Sequence, residues 1–145
     1  VAPGVANYFK LVGGEANAIA PGKRPLSSMS PTLVLKDDRV VMAIGGAGGP
    51  TIISQVLLGI SYALDAKMKP QEVVAQPRFH HQWSPDQIRI EKAVPTEVKE
   101  KLKTMGHQLA EEDNFGFSQI LIRNPDGSFD GATDPRCVGL AAGTR

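Results

Sequence analysis

The sequence predicts an α+β fold of stacked sheet and helix layers, not a doubly wound parallel sheet. Three observations carry that reading. Two apolar runs, Leu33-Val34-Leu35 and Val40-Val41-Met42-Ala43-Ile44, flank the polar turn Lys36-Asp37-Asp38-Arg39 and read as a hairpin. Apolar residues then recur at three- and four-residue spacing from Thr51 onward, the period of a helix. The remaining segments complete the order strand, strand, helix, helix, strand, helix, strand, strand, which lacks the regular strand–helix alternation of a parallel sheet.

Residues 1–32 hold much of the glycine and proline and little periodicity, so they read as a long loop held by something other than its own hydrogen bonds. The hairpin strands are continuous apolar runs, which predicts layers on both of their faces. A helix is expected over 51–66, with Ile52, Ile53, Val56, Leu57, Ile60, Ala63 and Leu64 on a wide core-directed face. A short helix over 70–75 follows, because Pro70 suits a first turn and Pro77 cannot continue it. Residues 87–91 read as a short strand. Thr96 is placed to cap a helix running to Met105, with Glu97 in its first turn, Val98, Leu102 and Met105 on one face, lysines on the solvated side and Gly106 at its end. Strands over 118–123 and 128–133 flank Asn124-Pro125-Asp126-Gly127, which carries proline and glycine where a type I turn favours them.

The chain of 145 residues has the length of one domain, enough to bury roughly 68–70% of its unfolded surface. Sixteen basic and fifteen acidic side chains nearly cancel, and the one local cluster, 99–103, contains Glu100. Neither a nucleic-acid partner nor a membrane surface is indicated by that balance. The longest apolar stretch, 52–64, is interrupted by Ser54, Gln55, Gly59 and Ser61 and falls short of the roughly 18 residues of a spanning helix. The single cysteine, Cys137, forms no intrachain disulfide.

Two segments offer chemistry. Residues 45–49 hold four glycines between a strand and a helix, so backbone N–H groups there can approach a ligand without Cβ interference. Phosphate binding, an oxyanion hole and a plain tight turn all remain open for this loop, although the Lys-Ser/Thr ending of a P-loop and the spacing of a dinucleotide fingerprint are missing. Ser27 and Ser28 follow Pro25-Leu26, where prolines can hold hydroxyls rigidly toward a carboxylate; a capped turn is the local alternative. Neither serine sits in a Gly-x-Ser-x-Gly elbow. His80 and His81, adjacent on an extended segment, point to opposite sides and make poor joint ligands, so no metal is expected, and His107 reads as a surface-turn residue. Asp134-Pro135-Arg136 can form an ion pair or an Asx turn.

Several separate blocks resemble, in order, the C-terminal part of the small subunit of gamma-glutamyltranspeptidases: 11–18, 21–32 with Pro25-Leu26-Ser27-Ser28-Met29, the glycine loop with Thr51-Ile52-Ile53, 75–83 and 131–136. The resemblance implies the N-terminal nucleophile hydrolase fold, layered αββα and incomplete in this chain. It implies transfer of a gamma-glutamyl group from glutathione or a related amide to water or an amino acid, through a threonine acyl-enzyme formed after autoprocessing. Carried over residue by residue, Ser27 and Ser28 bind the substrate α-carboxylate, and Gly48 and Gly49 supply oxyanion amides. The nucleophilic threonine of the family lies upstream of the position matching Val1, which has no hydroxyl, and an arginine for the substrate carboxylate comes from the large subunit. The chain alone is therefore expected to be an inactive half-site that needs the upstream segment and the large subunit, requires no cofactor, exposes apolar surface that favours self-association, and belongs to a periplasmic or secreted protein. A non-catalytic structural or interaction domain of the same fold is the alternative.

Overall fold

The computed structural model describes residues 4–143; Val1, on which the N-terminal reading turns, lies outside them. The α+β expectation holds. A four-stranded antiparallel sheet in the order β1-β2-β6-β7 is built from β1 (Thr32–Lys36), β2 (Arg39–Ala47), β6 (Phe117–Arg123) and β7 (Phe129–Thr133). A small second sheet contains β3 (Phe79–His80), β4 (Ile88–Glu91) and β5 (Leu109–Glu112), with the β4–β5 pair parallel. Helices α1 (Thr51–Leu64) and α2 (Pro70–Ala75) connect the first hairpin to the small sheet, and α3 (Thr96–Thr104) links β4 to β5.

The first hairpin closes through Asp37 and Asp38, both at positive φ, the backbone that a two-residue turn requires and that aspartate tolerates better than most side chains. Antiparallel register then sorts side chains by face. Val34, Met42 and Ile122 share one face with Ile44, Ile120 and Ala132, and these meet Ile52, Val56 and Ala63 of α1 and Val73 and Val74 of α2 in a single core.

The opposite face corrects the expectation that both sides of the strands are covered. Leu33 is 61% exposed and Leu121 is half-exposed there. An open groove of about 630 Å³ runs across that face, flanked by Leu140, Ala141 and Ala142. Continuous apolar runs record what a strand can bury; among the described residues, helices lie on one face only.

Three smaller expectations also change. Helix α1 ends at Leu64 and not at Ala66, and Ile53 (56% exposed) and Leu57 (66% exposed) face away from the core, while polar Thr51 and Gln55 turn inward. Pro95, not Thr96, occupies the cap position of α3, so no side chain caps it. Its face is also turned: Val98 and Met105 are exposed, whereas Lys99 is buried because its ammonium donates to the Lys92 carbonyl at 2.9 Å and to Glu111 Oε2 at 2.6 Å. That ion pair and carbonyl satisfy the charge where the helix pattern alone placed solvent.

Candidate active site

Strand β2 continues through Gly45, Gly46 and Ala47, which pair with Gln119, Ser118 and Phe117 of β6. The glycine loop is therefore shorter than the sequence indicates, only Gly48-Gly49-Pro50 before α1 begins at Thr51. Both glycines have positive φ, +145° and +60°, a backbone that side-chain-bearing residues rarely adopt. The turn is closed by Thr51 N–H and Ile52 N–H donating to the Gly48 and Gly49 carbonyls at 3.3 and 3.1 Å. Among the described residues, the N–H groups of Gly48 and Gly49 donate to no protein acceptor.

The loop is fixed from beneath and touched from above. Gly49 lies under the Phe9 ring, so close that an added Cβ would stand 2.6 Å from Phe9 Cε1. The Phe9 carbonyl in turn accepts from Gln82 Nε2 at 3.0 Å. Beneath the loop, Thr51 Oγ1 donates to the Gly48 carbonyl at 2.9 Å and accepts from Gln55 Nε2 at 2.9 Å.

Ser27 and Ser28 lie on the unpaired segment that enters β1. Thr32 pairs with Ile44, and Ser28 precedes Thr32 by as many residues as Gly48 follows Ile44, so both stretches leave the sheet at the same end. Ser27 Oγ accepts the Met29 N–H at 3.1 Å, which is the local turn considered from the sequence, and this bond leaves its hydroxyl proton to donate elsewhere. The Ser28 hydroxyl makes no hydrogen bond among the described residues, and its carbonyl accepts from Ser30 Oγ at 3.2 Å.

Behind the loop is a buried polar network that the sequence showed only in part. Asp134 accepts from the Ser118 N–H at 2.8 Å, from the Arg136 N–H at 2.9 Å and from the guanidinium of Arg78. Both the Asx turn and the ion pair expected of Asp134-Pro135-Arg136 are therefore present. Arg136 also binds Glu91 through Nε at 2.8 Å and Nη2 at 2.6 Å. Burial pushes the Asp134 carboxyl upward in pKa, but the Arg78 hydrogen bond and the Arg136 and Ser118 N–H groups outweigh it and hold the group below its ordinary range. Arg78, Glu91, Ser118 and Gln55 were not singled out by the sequence reading; the available signal was polar residues at buried positions of apolar elements, such as Gln55 on the inner face of α1.

The histidines separate as their alternation predicts. His80 is buried and bridges Ser54 Oγ at 2.7 Å and Gln82 Oε1 at 3.1 Å. His81 sits at the surface beside Asp86, 3.2 Å away.

The gamma-glutamyltranspeptidase family model matches residues 1–144. The chain is 44% identical over 136 residues to the glutathione hydrolase proenzyme of Escherichia coli, an alignment covering 94% of this chain and 23% of that protein. It thus spans about a quarter of the length of this relative and of the glutathione hydrolase proenzyme of Pseudomonas sp., to which it is 42% identical over 97% of the chain. Among solved structures, a mutant of the Helicobacter pylori gamma-glutamyltranspeptidase superposes with a TM-score of 0.89 at 46% identity, covering 94% of this chain and 76% of that one. The Pseudomonas nitroreducens gamma-glutamyltranspeptidase complexed with L-DON superposes at 0.91 with 37% identity, covering 100% of this chain and 77% of that one.

Proposed function

The chain belongs to the gamma-glutamyltranspeptidase family, and from that premise we propose that, within a longer polypeptide, it forms the substrate-carboxylate and oxyanion side of a site that transfers gamma-glutamyl groups. The observation that carries the reading is the Gly48-Gly49 turn, whose two N–H groups are left without protein acceptors at the sheet end where Ser27 and Ser28 also emerge. In this reading the two serine hydroxyls donate to the α-carboxylate of the gamma-glutamyl group.

A threonine hydroxyl from the upstream segment attacks the γ-carbonyl carbon, and the α-amine of that threonine takes the proton. The carbonyl oxygen becomes an oxyanion, held by the Gly48 and Gly49 amides. Collapse of the tetrahedral species breaks the C–N bond; the proton leaves with the departing amine, and an ester to the threonine remains. Water or an amino-acid amine then attacks the ester carbonyl, breaking the bond to the threonine oxygen, which recovers its proton, and releases glutamate or a gamma-glutamyl amide. Glutathione is the donor class that the relatives' name, glutathione hydrolase proenzyme, supports. The partners are the upstream small-subunit segment and the large subunit, and the setting is periplasmic or secreted; no described helix is long and apolar enough to cross a membrane.

The test is hydrolysis of a chromogenic gamma-glutamyl anilide by the full parent polypeptide and by its Gly49→Ala and Ser27→Ala/Ser28→Ala variants. The reading expects kcat to fall in the first and KM to rise in the second. Unchanged kinetics in both would refute it.

A further inference from the structure

Resting on the oxyanion reading of Gly48 and Gly49, we infer that Gln55 is a positioning residue that sets the direction of both amides. In a planar trans peptide the C=O of one residue and the N–H of the next lie in one plane and point oppositely. The Gly48 N–H is therefore aimed by whatever holds the Ala47 carbonyl, and the Gly49 N–H by whatever holds the Gly48 carbonyl.

Gln55 holds the Ala47 carbonyl directly and the Gly48 carbonyl through the Thr51 hydroxyl, which adds to the longer 3.3 Å bond from the Thr51 N–H. Its Nε2 donates to Ala47 O at 3.3 Å and to Thr51 Oγ1 at 2.9 Å, and the Thr51 hydroxyl, having accepted, donates its own proton to Gly48 O at 2.9 Å. The third arm fixes the amide's orientation, because Ser118 Oγ donates to Gln55 Oε1 at 2.9 Å while a carbonyl such as Ala47 O can only accept. Gln55 is 3% exposed, so water does not compete for these bonds.

The surroundings are shaped to this side chain. A Cβ on Gly116 would stand 2.2 Å from Gln55 Nε2, one on Gly48 2.9 Å from the same atom, and one on Gly46 3.2 Å from Oε1. Three glycines on three segments thus clear the space the amide occupies. A helix packed only by its apolar face would not need a carboxamide here.

The experiment measures kcat and KM for a chromogenic gamma-glutamyl anilide in the full parent enzyme carrying Gln55→Met, Thr51→Val, Thr51→Ser or Gly49→Ala. Met keeps the volume of Gln55 and deletes its hydrogen bonds. The expected result is a fall in kcat of about 10- to 100-fold for Gln55→Met and Thr51→Val, less than the roughly 100- to 1000-fold that follows outright removal of an oxyanion donor because the amides stay and are only misdirected, with KM within about twofold and activity restored in Thr51→Ser, which keeps the hydroxyl. Should Gln55→Met fail to fold, the Thr51 pair carries the same test. If Gln55→Met and Thr51→Val keep wild-type kcat while Gly49→Ala loses it, the positioning role is overturned and the oxyanion reading survives. If Gly49→Ala also keeps kcat, both are overturned. A loss that Thr51→Ser does not restore, or a rise in KM at constant kcat, likewise overturns the positioning role.

Discussion

Arg78 and Asp134 form an ion pair from which solvent is almost excluded, joining the segment after α2 to the end of β7. Asp134 spends its remaining acceptor capacity on the Ser118 and Arg136 N–H groups, and Arg78 reaches the Val74, Phe115 and Gly116 carbonyls. Ser118 is also the residue that orients Gln55. The pair is therefore joined to the glycine turn by three hydrogen bonds in series, Asp134 to Ser118, Ser118 to Gln55 and Gln55 to the Ala47 carbonyl, and its loss is expected to be felt both in stability and at the loop.

Removing one partner of this pair leaves a buried guanidinium uncompensated, which costs about 3–5 kcal/mol in comparable buried pairs. Asp134→Ala is expected to lower the unfolding free energy by about that amount, measured by urea denaturation of the parent enzyme. Because the folded carboxyl titrates below its ordinary 3.8, its contribution is intact above that pH and is lost as pH falls through the lower folded value. A loss under 1 kcal/mol at neutral pH would contradict the account.

Much of the frame was legible because its signals are local. The β1–β2 hairpin, α2 at Pro70–Ala75 and the β6–β7 hairpin appear where turn chemistry and apolar pattern put them. Strands β3 and β5 were not legible. Phe79–His80 is a two-residue strand, and Leu109–Glu112 reads Leu-Ala-Glu-Glu, residues that disfavour a sheet on their own; it is a strand because β4 supplies a parallel partner. At the candidate site, the glycines and the paired serines were visible by residue type. The support from Gln55, Ser118 and Arg78 was not, since it joins residues far apart in sequence through side chains whose meeting depends on the packed fold.

Ser27 and Ser28 are expected to act on binding and not on the chemical step. A hydrogen bond to a charged group contributes about 1.5–3 kcal/mol, so each serine-to-alanine change is expected to raise KM for gamma-glutamyl donors about 10- to 100-fold with kcat changed far less. Ser28 is the better probe, because its hydroxyl makes no competing internal bond among the described residues, whereas Ser27→Ala also removes the Met29 N–H acceptor. Steady-state kinetics with a donor lacking the α-carboxylate provide the check: the penalty from Ser28→Ala should vanish with that donor.

His80 gives the fold a pH dependence of defined sign. Burial pushes its imidazole below the ordinary 6.5, the Gln82 hydrogen bond opposes this, and Arg89 and His81 add to the lowering. In the unfolded chain the group takes a proton near 6.5, while in the fold it does so only at lower pH, so the unfolded state binds more protons in between. Stability is therefore full above 6.5 and declines as pH falls from there through the folded value. Asp134, Glu111 and Glu112 are all held below their ordinary 3.8 to 4.5 and do not contribute to that window. Thermal unfolding of the parent enzyme between pH 7 and pH 5 should show a falling midpoint whose slope is reduced in His80→Asn; an unchanged slope in the variant would assign the effect to other groups.

Gly116 makes the tightest demand of all. It has φ of +62°, and a Cβ there would stand 2.2 Å from Gln55 Nε2 and 2.6 Å from the Ala47 carbonyl. The second contact is with backbone, which cannot swing aside as a side-chain tip would. A positive φ on a non-glycine residue costs of order 1–3 kcal/mol and overpacking a filled interior adds a similar amount, so Gly116→Ala is expected to destabilise the protein by about 2–6 kcal/mol. The side chain that yields is Gln55, and the carbonyl that yields is the one opposite the Gly48 N–H. Activity should therefore fall more than the folded fraction does, which kcat per folded molecule, read alongside urea denaturation, separates directly; a loss of kcat that only tracks the folded fraction would mean that the strain stays out of the Gly48 turn.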